Sequence, residues 1–202
     1  MSFIKEFQKK HNLLDDGIIG KQTLSKIKEV CKIPTDIALS HFMANCHHES
    51  NGFTKFEENL NYSAERLLVV FPKYFKTLAV AKQYHRKPQA IANIVYGGRM
   101  GNNSVGDGWK FRGRGALQTT GKNNYIALGK YLKLDLISNP DLVLQYPLES
   151  AAYFFHSNNL FKKCVDITDK TIRSIRISVN GGLNGIQEVK EKTIYYYNLL
   201  SK

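Results

Sequence analysis

Hydrophobic residues recur at helical spacing along most of the chain, separated by polar or glycine-rich stretches. Two short helices are predicted within residues 3–33, and a third starts at residues 34–36 and stops at residues 50–52. Further helices are predicted from Ser63 to the break at residues 71–75, as one or two helices in residues 79–96, and in residues 125–132, 148–158, 169–177 and 185–200. The segment 148–158 is expected to be a central core helix. With little strand signal and no internal repeat, the pattern predicts a mainly α protein.

A carboxylate lies in the last turn of the third predicted helix. Glu49 follows Phe42 by seven residues and Cys46 by three, which predicts a place on the apolar face. Burial and the negative end of the helix dipole would both raise the pKa of its carboxyl group, as a general acid requires. The ordinary alternative is a solvated residue at a helix end.

A second carboxylate, Glu58, follows in a polar stretch with Asn59 and Asn61. There it is expected to stay ionised and to be able to act as a base. Two carboxyl groups whose surroundings separate their pKa values are typical of glycoside hydrolysis.

No complete metal-binding motif is found beside Glu49. His48-Glu49 matches the first half of the zinc motif H-E-x-x-H, but residue 52 is Gly52, so the second histidine is missing. Three widely spaced cysteines, at positions 31, 46 and 164, predict reduced thiols. We expect no metal ion and no cofactor, although a zinc amidase is one alternative function.

Composition narrows the class of partner. The chain has 202 residues, which fit one domain or one domain with a small appendage, and a net charge of +12, which favours anionic partners. Because the charge is dispersed and no nucleic-acid-binding motif is present, an anionic cell-envelope surface is expected rather than nucleic acid. The start of the sequence lacks a signal-peptide pattern and no run is long enough to span a bilayer, so synthesis in the cytoplasm is expected.

A glycine-rich segment, residues 113–125, reads GRGALQTTGKNNY. It lacks G-x-G-x-x-G after a strand, so a phosphate-binding loop is not indicated. The glycines favour close passage of the backbone past a ligand, and the side chains of Gln118, Thr120 and Asn124 offer amide and hydroxyl partners.

The first 33 residues contain the pattern D-G-x-x-G-x-x-T-L, from Asp16 to Leu24. This pattern resembles part of the small peptidoglycan-binding module that many wall hydrolases carry. Residues 1–33 are therefore predicted to be a short helical segment that either binds the wall or packs on a catalytic domain of residues 34–202.

Four segments in a fixed order resemble the family 19 glycoside hydrolases, and within that family most resemble the bacteriophage endolysins. They are HESNGFTKFEENLNYSAERLL (48–68), GRGALQTTGKNNY (113–125), NPDLV (139–143) and VNGGLNG (179–185). The resemblance, which runs from about residue 35 to the C-terminus, implies a lysozyme-like, mainly α fold with two lobes around an active-site cleft. Residues 61–98 are a possible smaller helical lobe, or simply a surface subdomain.

The same resemblance implies roles for particular residues. Glu49 matches the general acid and Glu58 the general base of an inverting mechanism, with the two carboxyl groups at least about 6.5 Å apart. Thr120 matches the residue that helps to hold the attacking water, and the matches to substrate-binding positions are Gln118, Asn124 and Asn180. One departure from the family pattern is Lys192, where plant chitinases of the family carry an arginine that ties the catalytic site together. The ammonium group of a lysine cannot reproduce the bidentate contacts of a guanidinium.

The expected function is hydrolysis of the β-1,4 bond between N-acetylmuramic acid and N-acetylglucosamine in peptidoglycan, for lysis of a host cell. The expected enzyme is a monomer that acts on peptidoglycan glycan strands after release from the cytoplasm through the inner membrane. A chitinase and a non-catalytic wall-binding protein are the alternatives.

Overall fold

The computed structural model describes residues 2–201; Met1 and Lys202, which end the two predicted domains, lie outside the described residues. The fold is 59% helical, so the prediction of a mainly α, lysozyme-like fold is confirmed. Within residues 2–201, pairing between extended segments is limited to isolated bridges that join Arg114 to Glu57 and to Thr119. In the same range no helix combines the length and the apolar character needed to cross a membrane.

Every predicted helix is present, and short helical turns are added. The α-helices are α1 (Phe3–Lys10), α2 (Lys21–Val30), α3 (Asp36–Glu49), α4 (Ala64–Val70), α5 (Leu78–Gln83), α6 (Pro88–Tyr96), α7 (Asp107–Lys110), α8 (Lys122–Leu132), α9 (Pro147–Ser157), α10 (Leu160–Lys163), α11 (Asp169–Asn180) and α12 (Ile186–Ser201). A 3₁₀ helix spans Pro140–Gln145. Helix α11 is longer than predicted because Gly181, at φ 78°, supplies the left-handed residue that ends it.

The described chain forms two compact units. The first comprises residues 2–56, Gly115–Leu117 and residues 146–201. At its centre α3 is buried from Ala38 to Cys46 without interruption, and this run includes the polar residues His41 and Asn45. The prediction of a single apolar face on α3 is therefore wrong. Helix α9 adds Leu148, Ala151, Ala152 and Phe155 to the same core, but α3 is the helix with the long continuous buried run.

The N-terminal hairpin of α1 and α2 belongs to this first core, to which it contributes Ile4, Phe7, Leu24 and Ile27. The buried Gln8 amide organises the turn between the helices, since its Nε2 donates to Asp16 Oδ1 at 3.0 Å and its Oε1 accepts from Gly17 N–H at 2.8 Å. Binding of this segment to the cell wall stays a prediction.

The second unit comprises Glu57–Arg114 and Gln118–Gln145. Its α4, α5 and α6 enclose a separate core of Leu60, Ala64, Leu67, Phe75, Ala81, Ile91, Ala92 and Val95. These residues fall within or beside the stretch 61–98 that the sequence suggested as a smaller lobe, and that domain division stays a prediction.

Arg114 fixes the glycine-rich segment within the second unit. Its guanidinium is 1% exposed, forms an ion pair with Asp141 at 2.5 Å and donates to the Tyr125 hydroxyl at 2.9 Å. Burial raises the pKa of Tyr125 to about 12, so the phenol remains a protonated partner. The chain around Gly113 is thereby held to α8 and to the 3₁₀ helix.

Candidate active site

Glu49 is the last residue of α3, in the first unit. The Ser50 side chain caps this end: its hydroxyl accepts from the Phe53 N–H at 3.0 Å, and it donates to Cys46 O at 2.6 Å, beside the backbone bond from Ser50 N–H to the same carbonyl. The Glu49 side chain is 23% exposed. Position 49 therefore lies in the last turn, as predicted, with its carboxylate partly open to solvent.

Two side chains of α11 hold the Glu49 carboxylate. Arg176 Nη1 lies 2.6 Å from Oε1, and Asn180 Nδ2 donates to the same oxygen at 3.2 Å. The two residues are four apart on α11 and so lie on one face of the helix. The sequence argument for Glu49 considered burial and the helix dipole, and did not include this cation.

Arg176 is fully buried and has other partners. Its Nε donates to the Asn184 carbonyl at 2.7 Å, and its Nη1 lies 3.4 Å from Asn45 Oδ1. These bonds fix the plane of the guanidinium beside Glu49.

The guanidinium beside Glu49 comes from Arg176 on α11, whereas Lys192 lies on α12. The ammonium of Lys192 lies 5.6 Å from the centre of the Tyr195 ring. A signal for Arg176 exists in the sequence: it follows the apolar Ile172 by four residues, which predicts that both lie on one face of α11.

The two histidines before Glu49 contact α12. His48 Nδ1 lies 2.6 Å from Glu188 Oε2, and His47 Nδ1 lies 3.1 Å from the Tyr196 hydroxyl. Burial lowers the pKa of His47, and the hydrogen bond from His48 lowers the pKa of Glu188. These contacts confirm the interpretation of the pair as polar-network residues. Across residues 2–201, no group of three or more His, Cys, Asp or Glu side chains is arranged to hold a metal ion.

A glycine permits the approach of His48 to the start of α12. A Cβ on Gly185, at φ 71°, would lie 2.0 Å from the His48 ring. The last glycine of the segment VNGGLNG therefore has a steric role beside the candidate acid.

Glu58 lies in the second unit, and its carboxylate accepts hydrogen bonds from two uncharged donors. The Tyr96 hydroxyl donates to Oε2 at 2.7 Å, and the Gly113 N–H donates to Oε1. The Glu58 N–H donates in turn to the Gly113 carbonyl at 3.0 Å. Burial and then the Glu58 charge raise the pKa of Tyr96, so this phenol stays a hydrogen-bond donor.

Three of the predicted site residues converge on Gly113. A Cβ placed there would lie 2.7 Å from Gln118 Oε1, 3.1 Å from Thr120 Oγ1 and 3.3 Å from Glu58 Oε1. The absence of a side chain at Gly113 thus leaves room for three oxygen atoms around one point. The close passage of this backbone past a ligand stays a prediction.

The remaining predicted residues lie beside these groups. Asn124, in the first turn of α8, is exposed and donates from Nδ2 to the Thr120 carbonyl at 2.8 Å. Asn180 is exposed at the end of α11, against Glu49. Glu49 and Asn180 therefore meet in the first unit, and Glu58, Gln118, Thr120 and Asn124 are neighbours in the second.

Sequence reasoning missed several supporting residues near Glu58. Tyr96 is one of them, and its position just before Gly97-Gly98 gave no sign of a partner. Arg112 is another: it pairs with Glu57, and its guanidinium carbon lies 3.9 Å from the centre of the Trp109 ring. These contacts join residues distant in sequence, so helical periodicity does not reveal them.

Sequence similarity to known proteins indicates the family of this chain. No profile of a known protein family matches the chain. The chain is 43% identical over 153 residues to a glycosyl hydrolase family 19 domain-containing protein of Haemophilus influenzae, an alignment that covers 73% of this chain and 72% of the relative. A stretch of 41 residues, 20% of this chain and 15% of the relative, is 49% identical to an acidic endochitinase of Petunia hybrida. The chain is a glycoside hydrolase and belongs to glycosyl hydrolase family 19.

Proposed function

We propose that this enzyme degrades peptidoglycan by hydrolysing the β-1,4 bond between N-acetylmuramic acid and N-acetylglucosamine, as the endolysin of a bacteriophage. The proposed roles rest on one observation, the convergence of Glu58, Thr120 and Gln118 on Gly113. The choice of peptidoglycan rests on the net charge of +12, since peptidoglycan is acidic and chitin is neutral. The motifs and their order resemble those of phage endolysins, which supports the proposed role in lysis of a host cell.

In the proposed reaction Glu49 is the general acid. It donates a proton to the glycosidic oxygen as the bond from that oxygen to the anomeric carbon breaks. Arg176 and Asn180 both contact Oε1 and so orient the carboxyl group, and the transferred proton is therefore carried on Oε2.

Glu58 is the general base of the same proposal. It takes a proton from a water molecule whose oxygen attacks the anomeric carbon on the opposite face, so the configuration inverts. Tyr96 and the Gly113 N–H orient the Glu58 carboxylate. The Thr120 hydroxyl already donates to the Gln118 carbonyl at 3.0 Å, which leaves its lone pairs to accept from the water.

Substrate contacts are assigned to three amide side chains, those of Gln118, Asn124 and Asn180. Asn124 and Asn180 are exposed, and each uses its Nδ2 in a bond within the protein. Their Oδ1 atoms remain to accept from the N–H or hydroxyl groups of an N-acetylated sugar.

The alternative substrate is chitin, which the similarity to an endochitinase favours. Release of new reducing ends from purified peptidoglycan and from chitin, measured side by side, separates the two. We expect release from peptidoglycan, and activity confined to chitin would replace the muramidase proposal.

Glu49→Gln and Glu58→Gln test the assigned roles in the same assay. Each should lower the rate by at least about a hundredfold, because an amide neither donates nor accepts the required proton. The control Glu29→Gln changes a carboxylate that is 69% exposed on α2 and should leave the rate unchanged. Full activity of a folded Glu49→Gln enzyme would remove Glu49 from the mechanism.

We also propose that the protein is a monomer that is made in the host cytoplasm and reaches the wall after release through the inner membrane. Its positive charge is proposed to adsorb it to anionic surfaces of the cell envelope. Lysis of bacteria with a permeabilised outer membrane should then slow as salt rises through the physiological range, since salt screens the attraction. A rate that does not respond to salt would show that adsorption does not depend on charge.

A further inference from the structure

A pocket on the second unit has no part in the proposed proton transfers. It has a volume of about 590 Å³ and is lined by Lys87, Pro88, Gln89, Ala90, Asn93 and Trp109. Pro88 and Tyr96 mark the two ends of α6, eight residues and therefore about 12 Å apart along the helix axis. The pocket thus lies toward the opposite end of the helix that supplies the partner of Glu58.

Trp109 forms a fixed aromatic wall of this pocket. It is half-buried, packs against the core of the second unit and has the Arg112 guanidinium over its ring. Its backbone N–H donates to Asn93 Oδ1 at 2.8 Å. Arg112 covers part of the indole, and the indole surface that lines the pocket offers an apolar face against which the C–H groups of a sugar ring can pack with little loss of side-chain entropy.

The other lining residues supply polar groups. Because Asn93 Oδ1 is used by Trp109, its Nδ2 remains as a donor, and the exposed Gln89 amide adds both a donor and an acceptor. Lys87 is exposed, and none of the ion pairs found among residues 2–201 includes its ammonium group. The pocket therefore combines an aromatic wall, amide groups and an unpaired ammonium group. These features match the ring, the N-acetyl group and the carboxylate of an acidic N-acetylated sugar.

We propose that this pocket binds an acidic N-acetylated sugar residue of the glycan strand, with the ring on Trp109 and the carboxylate on Lys87. The inference rests on the proposed function and deepens it, because a contact with a carboxylate gives a preference for peptidoglycan over neutral chitin. The carboxylate has two possible sources, the lactyl group of muramic acid and the stem peptide attached to it.

Trp109 is the single tryptophan of the chain, so its fluorescence reports on this pocket directly. The Glu49→Gln variant is titrated with three tetrasaccharides, which it should leave uncleaved. Two are alternating N-acetylglucosamine–N-acetylmuramic acid tetrasaccharides, one with free lactyl groups and one with stem peptides, and the third is chitotetraose. We expect a saturable change in fluorescence at lower concentration for at least one acidic probe than for chitotetraose, and the stronger acidic probe identifies the source of the carboxylate.

Lys87→Ala in the same background should weaken binding of the acidic probe by about fivefold and leave chitotetraose binding unchanged. Lys82→Ala, which removes an exposed lysine of α5 outside the pocket, is the matched control and should change neither value. The inference is overturned if the acidic probes leave the fluorescence unchanged, if chitotetraose binds equally well, or if Lys87→Ala binds like its control.

Hydrolysis by the wild-type enzyme separates this inference from the proposed function. If wild-type enzyme cleaves peptidoglycan while any of those three results is found, the pocket assignment alone fails. If wild-type enzyme does not cleave peptidoglycan, the proposed function fails, whatever the fluorescence shows.

Discussion

Removal of the Arg176 guanidinium tests the structural basis of the first carboxylate. Arg176→Ala removes the 2.6 Å ion pair with Glu49 and the 2.7 Å bond to the Asn184 carbonyl, and it leaves a space in a fully buried position. Loss of one partner from a buried ion pair costs about 3–5 kcal/mol. Because Glu49 is 23% exposed and water can reach it, we expect the lower end, about 3 kcal/mol.

Arg173→Ala is the matched control on the same helix. Its guanidinium is 46% exposed and pairs with Asp169, which is 45% exposed, at 2.6 Å. An exposed pair four residues apart contributes about 0.5 kcal/mol or less. The two variants remove the same side chain from the same helix and differ in the burial and the partner of that side chain.

Urea unfolding measures the difference between the two variants. With a slope of about 2 kcal/mol per molar urea, Arg176→Ala should lower the midpoint by about 1.5 M and Arg173→Ala by less than about 0.3 M. Arg176→Lys keeps the positive charge but loses the hydrogen bond that Nε makes. Because a displacement of a catalytic group by about 1 Å can lower the rate about a hundredfold, we expect this variant to lose hydrolytic activity on that scale. Equal midpoints for the two alanine variants, or full activity of Arg176→Lys, would refute the assignment of Arg176 as the residue that holds Glu49.

Three further perturbations test other contacts. Tyr96→Phe removes the hydroxyl that donates to Glu58 and should lower the hydrolytic rate at least about tenfold with little change in thermal midpoint; an unchanged rate would contradict the role of Tyr96. Gly113→Ala introduces a Cβ 3.1 Å from Thr120 Oγ1 and should lower the hydrolytic rate by a larger factor than it lowers the equilibrium constant for folding. Wild-type kinetics in this variant would show that the space at Gly113 is not needed for activity. Burial lowers the pKa of His41 in the folded protein. As pH falls below about 6.5, the histidine is protonated in the unfolded chain but not yet in the folded one, so the free energy of unfolding decreases. Calorimetry between pH 7.5 and 5.5 should therefore show a decline in thermal midpoint that is smaller in His41→Gln, and parallel curves would exclude His41 as a source of it.

Helical periodicity predicted the longer helices well because each of them buries apolar residues at regular spacing against a core. Ser63, for example, accepts from the Arg66 N–H at 3.3 Å and starts α4 as its sequence position suggested. The four-residue helices α7 and α10 were not predicted, because one turn is too short to display a period. The burial of α3 around its whole circumference was also missed, because Ser40, His41 and Asn45 are polar residues. Ser40 and Asn45 donate to carbonyls four residues earlier in the helix, and His41 Nε2 lies 2.8 Å from the Asp166 carbonyl, which is distant in sequence.

The candidate site was predictable where its residues fall in short, ordered motifs. Glu58, Gln118 and Thr120 were named from sequence, and they do converge on Gly113. Arg176 was not named, because its contact with Glu49 joins residues that are far apart in the chain and depends on how α11 packs beside α3.

The proposed inverting mechanism is tested most directly by the configuration of the first product. Proton NMR of the anomeric region, recorded during the first minutes of hydrolysis of a soluble peptidoglycan oligosaccharide, distinguishes the two outcomes before mutarotation mixes them. If Glu58 activates water, the new reducing end should appear first in the α configuration, and no covalent glycosyl-enzyme should accumulate. A product that appears first in the β configuration would contradict the account, because Glu58 would then act as a nucleophile and Thr120 would hold no attacking water.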